Sequence, residues 1–82
     1  MIMKKIKIKY YAILREQRGL SQEKITTDCP TPRELYADLK LKHNFSLPEN
    51  MMKVSINNAF TDWSAPLADG DSLIFIPPVA GG

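Results

Sequence analysis

The segment SLIFI, residues 72–76, restricts the possible fold more than any other part of the chain. Side chains alternate along a strand, so Leu73 and Phe75 would share one face of a sheet. Ile74 and Ile76 would share the other. A strand that is apolar on both faces is typical of a central position in a sheet. We therefore expect this segment to be the middle strand of the domain.

Three other segments have a period of two, with one apolar and one polar face. KKIKIKYY places Ile6, Ile8 and Tyr10 opposite a row of lysines, and QEKITTD and MMKVSIN alternate in a similar way. This period indicates strands with one buried and one wet face. A shorter extended piece is expected within NNAFTDW. The chain thus predicts a sheet of four or five strands.

The segment CPTPREL contains the strongest helix-start signal. Thr31 suits the N-cap, Pro32 suits the first helical position, and Glu34 stands where it would complete a capping box. We expect this helix to continue to about His43. A shorter helical turn is predicted at AILREQR, where Gly19 would terminate it.

The order strand, strand, helix, strand, short strand, strand predicts an α+β fold, in which a mixed sheet grasps one main helix. One helix covers only one face of such a sheet. We therefore expect Ile74 and Ile76 to contribute to an exposed apolar patch, a feature that usually marks a partner surface. The alternative is that loop residues such as Phe60 and Trp63 fold over that face.

The length of 82 residues suffices for one domain, which we assign to residues 1–76, followed by a tail at 77–82. The formal net charge is +2, too small by itself to indicate nucleic-acid binding. Lysines crowd the N-terminus, whereas no Lys or Arg follows Lys53, and this asymmetry fits electrostatic steering toward a protein partner. No signal-peptide core or membrane-spanning segment is predicted, so we expect a cytoplasmic protein without a membrane role.

Isolated reactive residues do not form a recognisable catalytic or metal site. Cys29 is the only cysteine, which excludes an internal disulfide, and no histidine stands at a fixed spacing from it. His43 is the only histidine. The DGD run at 69–71 lacks the other positions of a calcium loop and indicates a turn.

The sequence after the last strand, PPVAGG, is suited to a narrow binding channel. Pro77 and Pro78 lack amide donors, so they end the strand and stiffen the chain. Val79 and Ala80 keep it thin, and the two glycines have no side chains. Its extended reach is about 20 Å. We expect this tail to enter another protein and to present its terminal carboxylate there.

These segments together resemble the small subunits of molybdopterin synthase, the sulfur carriers of molybdenum cofactor biosynthesis. The matching pieces, in order, are YYAILREQRG, TPRELYADL, SIN and PLADGDSLIFIPPVAGG. They span nearly the whole chain, and the last is the most specific. The resemblance implies the ubiquitin-like β-grasp fold.

The resemblance also implies a chemistry for the C-terminus. The carboxylate of Gly82 would be adenylated by an enzyme related to ubiquitin-activating enzymes, which uses ATP and magnesium, and then converted to a thiocarboxylate. Its sulfur would pass to cyclic pyranopterin monophosphate in the large synthase subunit, building the molybdopterin dithiolene. The chain would then carry sulfur covalently, bind no permanent cofactor or metal, and not catalyse alone.

The resemblance carries specific residues over to this chain. Gly81 and Gly82 match the working terminus. The partner contacts carried over in this way are Arg15, Phe75, Ile76, Pro77 and Pro78. The predicted patch and tail add Ile74, Val79 and Ala80 as expected contacts. The expected partners are the large subunit, in a heterotetramer, and the adenylating enzyme; a nucleic-acid partner is not expected.

Other functions remain open at this point. A sulfur carrier for thiamine thiazole synthesis or tRNA thiolation would share the same tail chemistry. A ubiquitin-like binding module that is never activated, or a modifier attached to lysines, would share the same fold. REQRG and the paired prolines favour the molybdenum branch.

Overall fold

A computed structural model describes residues 2–78, and its elements follow the predicted order. The helices are α1 (Ala12–Arg18) and α2 (Pro32–His43), with a single 3-10 turn at Glu49–Met51. The strands are β1 (Lys4–Lys9), β2 (Gln22–Thr27), β3 (Lys53–Ile56), β4 (Ala59–Thr61) and β5 (Ser72–Ile76). The division into a domain at 1–76 and a tail at 77–82 stays a prediction, because most of the tail lies outside the described residues.

The five strands form one mixed sheet in the order β2-β1-β5-β3-β4. β5 is therefore central, as its apolar faces predict. It pairs in parallel with β1 and antiparallel with β3, whereas β1–β2 and β3–β4 are antiparallel. Because β1 and β5 run in the same direction, their C-terminal ends lie side by side along the same border of the sheet. We call this the exit edge; Lys9 and Ile76 are the last residues of the two strands.

The core lies between the sheet and α2. Leu35, Tyr36 and Leu39 of α2 are all buried. Phe75 is fully buried on β5, and its ring stacks on that of Trp63 at 5.7 Å between centroids and an interplanar angle of 9°. Tyr36 meets the same ring edge-on at 5.1 Å. An aromatic cluster therefore joins the middle strand to the helix.

The start of α2 differs from the predicted capping box. Thr31 is the N-cap, but its hydroxyl donates to the Glu34 carboxylate and makes no bond to a helix N–H. The amide of Arg33 instead donates to the carbonyl of Trp63 at 3.0 Å. The loop after β4 thus supplies a backbone acceptor for the first turn, and this long-range contact is invisible in the local sequence.

Residues with positive φ form the turns after α1 and between β3 and β4. Gly19 ends α1 in the left-handed region at φ 81°, as predicted, and donates its N–H to Arg15. Asn57 and Asn58 both have positive φ and join β3 to β4. Two such residues match the twist of a hairpin. The hairpin fixes the register that places Phe60 opposite Ser55.

Candidate functional site

The chain leaves the sheet from its middle strand, at the exit edge. Ile76 is the last residue of β5 and pairs with Lys53 at the start of β3. Pro77 follows half-buried and Pro78 exposed, and neither has an amide hydrogen to continue the ladder. The strand therefore ends where the prolines predict, and the chain departs from the central strand of the sheet.

Four predicted site residues, Val79, Ala80, Gly81 and Gly82, lie outside the described residues. Their roles stay predictions. The described site is therefore the surface around the root of the tail.

Helix α1 lies beside the exit edge because it directly follows β1. Arg15 and Ile13 are exposed on this helix, and so is Tyr11, the N-cap residue before it. The topology thus brings Arg15 to the same end of the sheet as Ile76, although it is distant in sequence. Its predicted contact with a partner stays a prediction.

A polar cluster fastens α1 to the sheet. Arg18 donates two hydrogen bonds to the carboxylate of Glu23 on β2, each 2.8 Å long. The buried hydroxyl of Tyr10 donates to the same carboxylate at 2.6 Å. The hydrogen bonds from Arg18 are the main cause of the lowered pKa of Glu23. Burial is the main cause of the raised pKa of Tyr10, and its hydrogen bond to Glu23 is the second cause. The carboxylate therefore stays ionised and holds α1 in place.

The sheet face opposite α2, which we call the open face, has an apolar strip. Ile74 pairs with Ser55, and Ser55 pairs with Phe60, so the three side chains form one row across β5, β3 and β4. Ile76 lies next to this row. Phe60 is 73% exposed, and the ammonium of Lys53 lies 5.8 Å from its ring centroid.

The structure decides between the two predictions for this face. Trp63 packs on Phe75, on the α2 side, so it does not cover Ile74 and Ile76. Phe60 belongs to the open face but extends the strip to the sheet edge. The alternative prediction, in which Phe60 and Trp63 fold over this face, is therefore wrong. Ile74 and Ile76 are half-buried rather than fully exposed, since they lie on the central strand between neighbouring strands.

Phe75 requires a correction as a partner contact. Its side chain is 0% exposed and is surrounded by Trp63 and Tyr36 in the core. A residue in this position supports the fold and is unavailable to a docking protein. The resemblance suggested contacts at both Phe75 and Ile76, where the family places apolar residues, but adjacent residues of a strand face opposite sides.

Lys53 and Phe60 are surface residues that the sequence reasoning did not assign to the site. The alternation in MMKVSIN placed Lys53 on the wet side of β3, but the strand order was needed to show that this is the face of Ile76. The register between β3 and β4 was likewise needed for Phe60. Both residues frame the apolar strip.

The residues set aside in the sequence have structural roles. The carbonyl of Cys29 accepts a hydrogen bond from Lys4, and its amide donates to Thr27. The carboxylate of Asp71 accepts a hydrogen bond from the Ala68 amide in the turn before β5 and another from Asn57 in the β3–β4 hairpin.

Residues 2–78, the part of the chain that the structure describes, contain no group of three or more His, Cys, Asp or Glu side chains that could hold a metal ion. No helix in this part of the chain has the length and apolar character needed to span a membrane.

A five-stranded mixed sheet around one main helix, with the chain leaving the end of the central strand, defines a ubiquitin-like β-grasp protein. The sequence profile described as the ThiS family matches residues 8–82. The chain therefore belongs to the ThiS family. The resemblance to sulfur carriers stated from the sequence is confirmed.

The relatives of this chain agree with that assignment. The molybdopterin synthase sulfur carrier subunit of Escherichia coli K12 is 29% identical over 80 residues, covering 94% of this chain and 99% of the relative. A Pyrococcus furiosus structure described as molybdopterin converting factor subunit 1 has a TM-score of 0.74 and 27% identity, covering 93% of this chain and 99% of that one.

A Helicobacter pylori structure is described as a complex of subunits 1 and 2 of molybdopterin-converting factor. It matches with a TM-score of 0.64 and 24% identity, covering 95% of this chain and 99% of that one. At this identity the likeness concerns the fold.

Proposed function

We propose that this protein is the sulfur-carrier small subunit of molybdopterin synthase. The observation that carries the proposal is the end-to-end match to the E. coli sulfur carrier subunit, over 94% of this chain and 99% of the relative. The family profile also extends through residue 82, so PPVAGG lies inside the matched region. The proposed working group is the C-terminal carboxylate of Gly82.

The first proposed step activates that carboxylate. A carboxylate is a poor electrophile because its charge is shared by two oxygens. Inside an adenylating enzyme related to ubiquitin-activating enzymes, a carboxylate oxygen attacks the α-phosphorus of magnesium-bound ATP, and pyrophosphate leaves. The product is an acyl-adenylate, whose carbonyl carbon has AMP as a good leaving group.

The second step installs sulfur. A donor at the oxidation level of sulfide attacks the carbonyl carbon, and AMP leaves with the electrons of the broken C–O bond. The product is a thiocarboxylate at Gly82, which is a softer nucleophile than the carboxylate. No oxidant or reductant is needed when the donor supplies sulfide.

In the third step, inside the large subunit, the thiocarboxylate sulfur bonds to a carbon of cyclic pyranopterin monophosphate and an oxygen substituent leaves that carbon. Water then hydrolyses the resulting thioester, which leaves the sulfur on the substrate and restores the Gly82 carboxylate. Two carriers in turn would supply the two sulfurs of the dithiolene, which fits a heterotetramer of two small and two large subunits. The contribution of this chain is positioning: a stiff stalk at Pro77 and Pro78 extends from the central strand, and the glycines let channel walls close around the backbone. The complex described for the H. pylori relative supports a large-subunit partner.

The test is the mass of the full chain after incubation with the cognate adenylating enzyme, ATP, magnesium and sulfide. We expect an increase equal to the difference between one sulfur and one oxygen atom, and no increase for a chain that lacks Gly81 and Gly82. An unchanged mass of the full chain contradicts the proposal.

The branch of sulfur metabolism needs a second measurement. The thiocarboxylated chain should support dithiolene formation when mixed with the large subunit and cyclic pyranopterin monophosphate, and it should restore molybdoenzyme activity in cells that lack their own small subunit. Thiocarboxylation without either result would assign the carrier to thiazole synthesis or tRNA thiolation instead. Cellular function that survives removal of Gly81 and Gly82 would indicate a binding module that is never activated.

A further inference from the structure

The open face of the sheet carries positive charge on β1, β2 and β3. Alternate residues of the five strands point to this side. They are Lys5, Lys7, Lys9, Gln22, Lys24, Thr26, Lys53, Ser55, Phe60, Ser72, Ile74 and Ile76. This set contains five lysines and no carboxylate. The lysines are concentrated on β1 and β2, next to the apolar strip.

The register adds an unfavourable pair to this surface. Lys7 on β1 lies directly opposite Lys24 on β2, and both are exposed. Like charges at such positions destabilise an antiparallel pair. The next open-face positions, Lys5 and Lys9, increase the repulsion. The repulsion between Lys7 and Lys24 thus destabilises the fold, and an acidic side chain at either position would remove it.

Three acidic residues near the lysines of β1 and β2 have hydrogen-bond partners of their own. Glu23 is adjacent to Lys24 in sequence but faces the other side, where it binds Arg18 and Tyr10. Asp69 accepts a hydrogen bond from the amide of Lys5, and Asp71 is held within its turn. None of the ion pairs of the described residues involves an open-face lysine.

We infer that the open face docks onto an acidic surface of the adenylating enzyme, with the lysines of β1 and β2 selecting that partner by charge. The inference deepens the proposed function, on which it rests for the identity of the partner. The apolar strip would lie at the centre of the contact, and the lysines would form a charged rim. The exit edge borders the same face, so a docked partner would stand where the tail emerges.

Two other occupants fit the observations less well. A second copy of this chain would bring lysines against lysines. A nucleic acid would satisfy the lysines but not the half-buried Ile74 and Ile76, and the net charge of the chain is only +2. An acidic protein surface with an apolar centre satisfies both parts of the face.

The binding test uses Lys24→Glu and, as a matched control, Lys42→Glu. Both variants change the net charge equally, but Lys42 lies on α2, where it pairs with Asp38 at the surface. The probe is a polyglutamate peptide, titrated into the full chain at low ionic strength and monitored by amide chemical shifts. We expect shifts on β1 and β2, about tenfold weaker binding for Lys24→Glu, and little change for Lys42→Glu. Equal losses in the two variants, or shifts centred on α2, would overturn the inference.

A folding measurement separates recognition from stability. Lys24→Glu places a carboxylate opposite Lys7, so its thermal unfolding midpoint should equal or exceed that of the native chain. Weaker binding by a domain that is at least as stable supports a recognition role. A lower midpoint would show that Lys24 supports the fold, and that result contradicts the inference.

The competing class of macromolecule is tested with a DNA duplex under the same conditions. Tighter binding of the duplex than of the peptide at the same face would assign that face to nucleic acid and overturn the inference. With the adenylating enzyme, Lys24→Glu should slow thiocarboxylation at limiting carrier concentration about tenfold, and high salt should remove the difference. A native chain that is never thiocarboxylated contradicts the proposed function. The peptide titration tests separately whether the open face binds an acidic ligand, so the two failures can be distinguished.

Discussion

The two faces of β5 have similar composition but different surroundings. Leu73 and Phe75 are 0% exposed under α2, whereas Ile74 and Ile76 are half-buried on the open face. One pair is surrounded by leucines and aromatic rings, and the other is flanked by lysines. Apolar character alone therefore does not distinguish residues that stabilise this domain from residues available for recognition. The neighbouring strands and the single helix make that distinction.

The largest effect on stability is expected on the α2 side. Phe75→Ala should lower the free energy of unfolding by about 3–5 kcal/mol, because it leaves a cavity beneath the helix. Urea unfolding followed by the fluorescence of Trp63, which stacks on this ring, would measure the loss. A cost below about 1 kcal/mol would break the proposed contrast between the two faces, since losses that small are usual for surface substitutions.

Acidification should weaken the same side of the sheet through Glu23. Its pKa is lowered in the folded chain, first by the hydrogen bonds from Arg18. Its contribution is therefore full above the ordinary pKa of 4.5 and is lost as the pH falls through the lowered value. We expect about 1–2 kcal/mol of acid-dependent stability from this carboxylate. In Glu23→Gln this part of the pH dependence should disappear, and an unchanged acid profile would contradict the assignment.

The open face should show a smaller stability effect and a larger binding effect. Ile74→Ala should cost about 1–2 kcal/mol in unfolding free energy, less than Phe75→Ala, because the Ile74 side chain is only partly removed from water. Its affinity for the adenylating enzyme should fall about tenfold or more, if the strip is the centre of the contact. Calorimetric titration of the native chain and the variant, beside urea unfolding of both, measures the two quantities. Binding that is unchanged would remove the strip from the docking surface.

The smallest stability effect is expected at the end of the strip. Phe60→Ala removes a ring that is 73% exposed and a cation–π contact with Lys53. The unfolding free energy should change by no more than about 0.5 kcal/mol. Thermal unfolding would test this value. A loss comparable to that of Phe75→Ala would show that Phe60 covers the sheet and would revive the alternative prediction for this face.

The sequence by itself determined the local elements and their order. The period of two indicated the strands, and Thr31, Pro32 and Gly19 marked helix boundaries that the structure confirms. The apolar faces of residues 72–76 were sufficient to place this strand in the middle of the sheet. These features depend on backbone preferences and side-chain periods within a few residues, so a single chain displays them directly.

The tertiary structure decided which residues share a surface. The pairings of β3 with β4 and β5 brought Phe60 and Lys53 to the face of Ile74, and the β1–β2 pairing set Lys7 against Lys24. The structure also showed that Phe75, an expected partner contact, lies in the core. The amide in the first turn of α2 has a carbonyl acceptor in a distant loop. Such relations depend on the strand order and on contacts between residues far apart in the chain. Local periodicity gives the two faces of each strand, but only pairing determines which strands lie side by side.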